Sequence, residues 1–315
     1  MPITLKHIRW LLCAVLVSLL LALPTARAAN PHDKNDDELV IGMSFQTLDN
    51  VYFVTLQRAL QEAIDDMGAR FIFTDARRDT ARQHRDVEDM LARDIDILLI
   101  DPANPAAIEE TIVSTHEAGV TVVAVDTPAR GPIDGFVGSN NVGAGYQACR
   151  YLGEQLDGRG QVAILEGAAV APMRQRVEGC QKALAEFQGI ELVDRQNGNQ
   201  ARNKALSVTE QMLETHPELA GIFSVDDTGV LGALVAIQTA GRNVKLAGVD
   251  GSPEAVRMLT RPNSPLIAMM AQHPADIAAR ALALAVKQYR GEKAPETVPV
   301  DTTLVTADNA RNFLW

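Results

Sequence analysis

The stretch DIDILLIDPANPAAIEETIVSTHEAGVTVVAVD, Asp94–Asp126, decides the fold class. Ile97-Leu98-Leu99-Ile100 and Val122-Val123-Ala124-Val125 are uninterrupted apolar runs. A strand with one wet face alternates apolar and polar residues, so these two read as strands buried on both faces. Pro105–Ala118 lies between them and carries its apolar residues at helical spacing. A strand, a covering helix and a second strand make the unit of a parallel sheet. Each strand runs into an acid, Asp101 or Asp126, and doubly wound sheets bind ligands beyond the carboxyl ends of their strands.

The same pattern extends in both directions. Upstream, Leu39–Phe45 and Arg70–Thr74 read as strands, with helices over Val51–Met67 and Ala81–Arg93. Within and beyond the opening stretch, Ile95–Ile100, Val120–Val125, Phe136–Gly138, Gln161–Leu165 and Ile190–Val193 read as strands, as do Gly221–Ser224, Val244–Val249 and Pro265–Met270. These strands and the chain length are too many for one core. The expected architecture is α/β, with two doubly wound parallel-sheet lobes joined by three hinge crossings. The turn-rich Gly138-Ser139-Asn140-Asn141 marks the first crossing, Ala271–Pro274 the second and Val300–Thr303 the third. Residues 38–138 with 272–301 then form an N-terminal lobe, and 139–271 with 302–315 a C-terminal lobe. The strand ends to inspect are Asn50, Tyr52 and Phe53; Asp101; Asp126-Thr127; Asp226-Asp227; Asp250-Gly251; and Gln272.

The first 28 residues have a different character. Lys6, His7 and Arg9 are basic, Leu11–Leu23 is apolar, and Ala26-Arg27-Ala28 is a small-x-small cleavage site. This is the layout of a secretory signal peptide, and the apolar run is too short to span a bilayer. The expected mature protein has 287 residues and is periplasmic. Its formal charge falls from −11 to −14 without Lys6, Arg9 and Arg27, which argues against nucleic acid or anionic lipid as partner. Cys149 and Cys180 remain, each in a helical pattern. An oxidising compartment permits a bridge, yet the spacing matches no redox or metal motif. Buried thiols are the reading the pattern favours, with the bridge left open.

Six segments in order, between Glu38 and Asp301, resemble the ribose/galactose-type sugar-binding proteins of ABC importers, the type I periplasmic binding proteins. They are Leu48-Asp49-Asn50-Val51-Tyr52-Phe53, Val123-Ala124-Val125-Asp126, Arg174-Gln175-Arg176-Val177-Glu178-Gly179, Phe223–Ala233, Gly248-Val249-Asp250-Gly251 and Ala271-Gln272. The resemblance implies ligand contact by Asn50, Tyr52, Phe53 and Asp126 on one lobe and by Arg176, Gln200, Asp226 and Asp250 on the other. Gln272 would sit at the hinge. It also implies a membrane permease as partner and a monomeric protein that needs no cofactor. The chemistry agrees with this set. Carboxylates accept from sugar hydroxyls, a guanidinium donates in a fork, and aromatic rings cover the C–H face of a sugar.

The chain also departs from ribose binders. Thr127 stands where they carry Arg, Gln200-Ala201 replaces an aromatic-Asp pair, Asp226 replaces Asn, and Val249 replaces an aromatic residue. Loss of a cation and of ring walls favours a small or linear polyol, a less ring-like sugar, or an amine-bearing derivative. Enzyme signatures are missing: there is no G-x-S-x-G, Walker A, H-E-x-x-H or helix-opening G-x-G-x-x-G. A periplasmic sensor that binds a sugar-like signal, such as an autoinducer, and reports to a sensor kinase or chemoreceptor is the competing expectation.

Overall fold

The computed structural model describes residues 39–314; the expected leader, 1–28, lies outside the described residues. In chain order the first half comprises β1 (Val40–Phe45), α1 (Val51–Asp66), β2 (Arg70–Asp75), α2 (Thr80–Leu91), β3 (Ile97–Ile100), α3 (Glu109–Glu117), β4 (Thr121–Val125) and β5 (Gly135–Ser139). Next come α4 (Asn141–Gln155), β6 (Arg159–Glu166), α5 (Ala171–Leu184), β7 (Gly189–Asn197), α6 (Arg202–Thr215), β8 (Leu219–Ser224), α7 (Asp227–Ala240) and β9 (Lys245–Asp250). The chain finishes with α8 (Pro253–Leu259), β10 (Leu266–Ala271), α9 (Pro274–Tyr289), β11 (Thr297–Val300) and β12 (Thr303–Thr306).

The strands form two six-stranded sheets, ordered β11-β5-β4-β3-β1-β2 and β12-β10-β9-β8-β6-β7. Alternation along each strand supplies a core on both faces. Ile97 and Leu99 join α1 and α9 in one core, while Leu98 and Ile100 join α2 and α3 in the other. In the second sheet Ala163 and Leu165 face α6 and α7, and Val162 and Ile164 face α4 and α5. The uninterrupted apolar runs of the opening stretch are therefore strands read by two cores at once.

Each sheet reverses direction beside its first strand, at β1/β3 and at β6/β8, so each has a topological switch point of the kind that receives ligands. The chain passes between lobes after β5, after β10 and after β11, because α9 packs in the first lobe's core and β12 pairs with β10. β11 and β12 were not read as strands. Both are four-residue edge strands, and Pro299 in β11 suits only an edge. β12 also runs antiparallel to β10, so the second sheet is not wholly parallel.

Cys149 and Cys180 form a disulfide, which corrects the expectation of two buried thiols. Their Cα atoms lie 4.9 Å apart, inside the bridging range. Two glycines bring α4 and α5 this close. A Cβ on Gly145 would lie 1.9 Å from the Arg176 carbonyl oxygen, and one on Gly179 would lie 2.0 Å from that of Val142. No side chain fits at either position, and the helices pack backbone on backbone.

Candidate functional site

The close α4–α5 contact aims Arg176 into the space between the lobes. Its side chain is 2% exposed, and burial of a guanidinium is tolerable only with full pairing. Nε donates to Asn141 Oδ1 at 2.8 Å, and Nη1 donates to the Val225 carbonyl and to Asp250 Oδ1, both at 2.7 Å. Burial is the largest influence on Arg176 and works against its charge, but Asp250, Asp126 and Asp226 together more than offset it and raise its pKa. Asp250 closes β9 with φ at 103°, a strained value for a non-glycine. Besides Arg176 it accepts from Gln272 Nε2 at 2.7 Å and from the Asp227 N–H at 3.2 Å.

Across the cleft, Asp126 follows β4 at the centre of a γ-turn. The Thr127 N–H donates to the Val125 carbonyl at 2.7 Å, and Asp126 has φ at 63°. Tyr52 Oη donates to Asp126 Oδ1 at 2.8 Å. Burial and the Asp126 carboxylate push the Tyr52 phenol well above its usual value. Burial is also the main cause of the raised pKa of Asp126. Asp101, at the end of β3, is fully buried, and burial together with Asp126 raises it well above the carboxylate range. Asn50 caps α1 by accepting from the Tyr52 N–H at 2.9 Å, which fixes where Tyr52 and Phe53 enter the cleft. Their rings meet edge to face with centroids 5.1 Å apart.

These groups, apart from Asp101, line one cavity of about 170 Å³, well below the roughly 300–1,000 Å³ of pockets for drug-sized ligands. Eight of the nine residues expected at the site lie on its wall: Asn50, Tyr52, Phe53, Asp126, Arg176, Gln200, Asp250 and Gln272. Asp226 does not. It is the N-cap of α7, its Oδ1 accepting from the Gly229 N–H at 2.7 Å, and it stays buried behind the wall. Burial, then the nearby Asp250, pushes its pKa to about 6. Asp227, on its other side, accepts from the Gly251 and Ser252 N–H groups, and burial followed by Asp250 pushes it to about 8.

Sequence reasoning missed several wall residues. Arg78 reaches the cavity from a left-handed turn after β2 and pairs with Asp49 at 3.1 Å. Gln46 and Thr47 extend β1 into the wall, and Val170, Pro172 and Met173 give it an apolar side at the start of α5. Asn141, the partner of Arg176, lies in the turn-rich segment already marked as a crossing, and that position was its available signal.

Two lobes with parallel sheets, switch points facing one another and a polar cavity between them are matched by a family profile. The profile of the periplasmic binding protein domain covers residues 41–293. The chain belongs to that family. Ribose import binding protein RbsB of Bacillus subtilis (strain 168) is 32% identical over 302 residues, covering 93% of this chain and 98% of the relative. Among solved structures, an ABC transporter solute-binding protein from Mycobacterium smegmatis with bound glycerol superposes with a TM-score of 0.82 at 30% identity. It covers 88% of this chain and 96% of its own. A periplasmic solute-binding protein from Actinobacillus succinogenes 130z with bound D-allose gives a TM-score of 0.82 at 27% identity, covering 88% and 100%. This periplasmic binding protein therefore has the type I fold, in a family of solute binders rather than enzymes.

Proposed function

We propose that this periplasmic binding protein is the solute-binding component of an ABC importer and holds one small sugar or polyol between its lobes. The observation that carries the reading is the wall of the cavity. Asp126 from one lobe faces Arg176 and Asp250 from the other, with the Tyr52 and Phe53 rings at the side. Acceptors and a donor from both lobes meet the two-way hydrogen bonding of vicinal hydroxyls, and the rings meet C–H faces. Nη1 and Nε of Arg176 are already bonded within the protein, which leaves Nη2 for the ligand. Contacts from both lobes favour the closed arrangement by the ligand's preference for it.

Relatives named for ribose and D-allose, and a solved neighbour holding glycerol, support the ligand class. The reading includes export through residues 1–28, release into the periplasm as a monomer, and docking of the closed form on a membrane permease. Titration calorimetry of residues 29–315 against D-ribose, D-allose, glycerol and a panel of pentoses, hexoses and alditols tests it. One-to-one binding with a Kd in the micromolar range, about −8 kcal/mol, is expected for at least one member. Absence of binding across the panel refutes the reading.

A further inference from the structure

Arg176 and Asp250 belong to a closed ring of hydrogen bonds that runs through two of the crossings. Ser139 Oγ donates to Gln272 Oε1 at 2.7 Å, and Gln272 Nε2 donates to Asp250 Oδ1 at 2.7 Å. Arg176 Nη1 donates to the same Asp250 oxygen at 2.7 Å, and its Nε donates to Asn141 Oδ1 at 2.8 Å. Asn141 Nδ2 then donates to the Ser139 carbonyl at 3.0 Å, which closes the ring. All five residues are buried. The third crossing is tied to the first by Asn140, whose N–H donates to the Val300 carbonyl at 2.8 Å and whose Nδ2 donates to Asp301 Oδ1 at 3.2 Å.

Ser139 ends β5, Asn141 opens α4, and Gln272 follows β10. The ring therefore joins two hinge strands to the two groups that face the ligand, and neither Ser139 nor Asn141 is on the cavity wall. We propose that Ser139 and Asn141 are positioning residues that couple the angle between the lobes to the pairing of Arg176 and Asp250. The ring is satisfied only while the two hinge strands keep their present spacing. A change in lobe angle stretches a link and leaves a buried polar atom unpaired, which is costly and makes the arrangement two-state rather than continuously variable. A ligand that engages Asp250 thus acts on the hinge through Gln272, and one that engages Arg176 acts on it through Asn141.

The ligand arm of this proposal rests on the reading of the cavity given above; the hinge arm does not. The test is the distribution of distances between spin labels at exposed Arg93, on the first lobe, and exposed Glu210, on the second, measured without ligand. S139A removes the donor to Gln272, and its distribution is expected to shift or broaden relative to the wild type. S139T, which keeps the hydroxyl, restores it. If S139A does not fold, N141D serves instead, because it keeps the acceptor for Arg176 and loses the donor to Ser139. A variant that melts earlier yet keeps the wild-type distribution overturns the proposal and reduces the ring to local packing. With D-ribose as probe, dissociation from S139A is expected to be roughly three- to tenfold faster, the scale of one buried hydrogen bond. If the wild type does not bind D-ribose, the ligand reading loses support while the distance measurement still decides the hinge.

Discussion

Removing the disulfide with the double substitution Cys149→Ala and Cys180→Ala gives a loss of stability that follows from chain length. The bridge closes a loop with a sequence separation of 31. Constraint of the unfolded chain by a loop of that length contributes about 3.7 kcal/mol at 25 °C. Alanine keeps a small apolar group at two fully buried positions, so packing losses stay secondary. For a lobe of this size each kcal/mol moves Tm by roughly 2–4 °C, and the variant should melt about 7–15 °C lower. Thermal denaturation followed by circular dichroism, on the wild type with and without reductant and on the variant, provides the measurement. Reduced wild type and variant should coincide. A fall in stability of less than about 1 kcal/mol would refute the reasoning, and would mean that the Gly145–Gly179 crossing holds α4 on α5 unaided.

Three further outcomes are expected. Gly179→Ala places a methyl 2.0 Å from the Val142 carbonyl oxygen, so the helices must part; urea unfolding should show a loss of about 1–3 kcal/mol, and an unchanged midpoint contradicts the backbone contact. Asp250→Asn weakens the charged bond to Arg176 and should cost about tenfold or more in affinity by calorimetry; undiminished binding removes Asp250 from the site. Asp226→Asn keeps the cap and removes a carboxyl whose pKa is pushed to about 6 by burial and then by Asp250. Between about pH 4 and 6 the folded state holds a proton that the unfolded state has released, so this group's effect on stability worsens as pH rises through that window. The variant should match the wild type at pH 4 and exceed it by an amount on the order of 3 kcal/mol at pH 7; equal urea midpoints at both pH values refute the assignment.

Much of the architecture was legible because burial on both faces leaves a plain trace. Runs such as Ile97–Ile100 have no polar interruption, and the helices between them keep their period. The strand-end acids Asp126 and Asp250 were legible for the same reason, since a doubly wound sheet dictates where strand ends point. Asp226 caps α7 off the cavity wall, because an acid before a helix is equally suited to a cap and to a ligand, and the choice depends on where the wall runs. The bridge was not legible, because it depends on an approach of two helices that Gly145 and Gly179 permit but do not announce. Arg78 reaches the wall only through a left-handed turn, and β11 and β12 are too short to show any period.

The second crossing has a consequence for biogenesis. The core under α1 is completed by Ile277, Ala278, Ala281 and Leu282 of α9 and by Val300 of β11, all downstream of the entire segment from α4 to β10. At about 5–20 residues per second, the interval between synthesis of Ser139 and of Ile277 is roughly 7–28 s. Throughout that time the first lobe lacks the α9 and β11 side of its core. Under the export proposed above, the order of the segments itself delays closure of the first lobe's core.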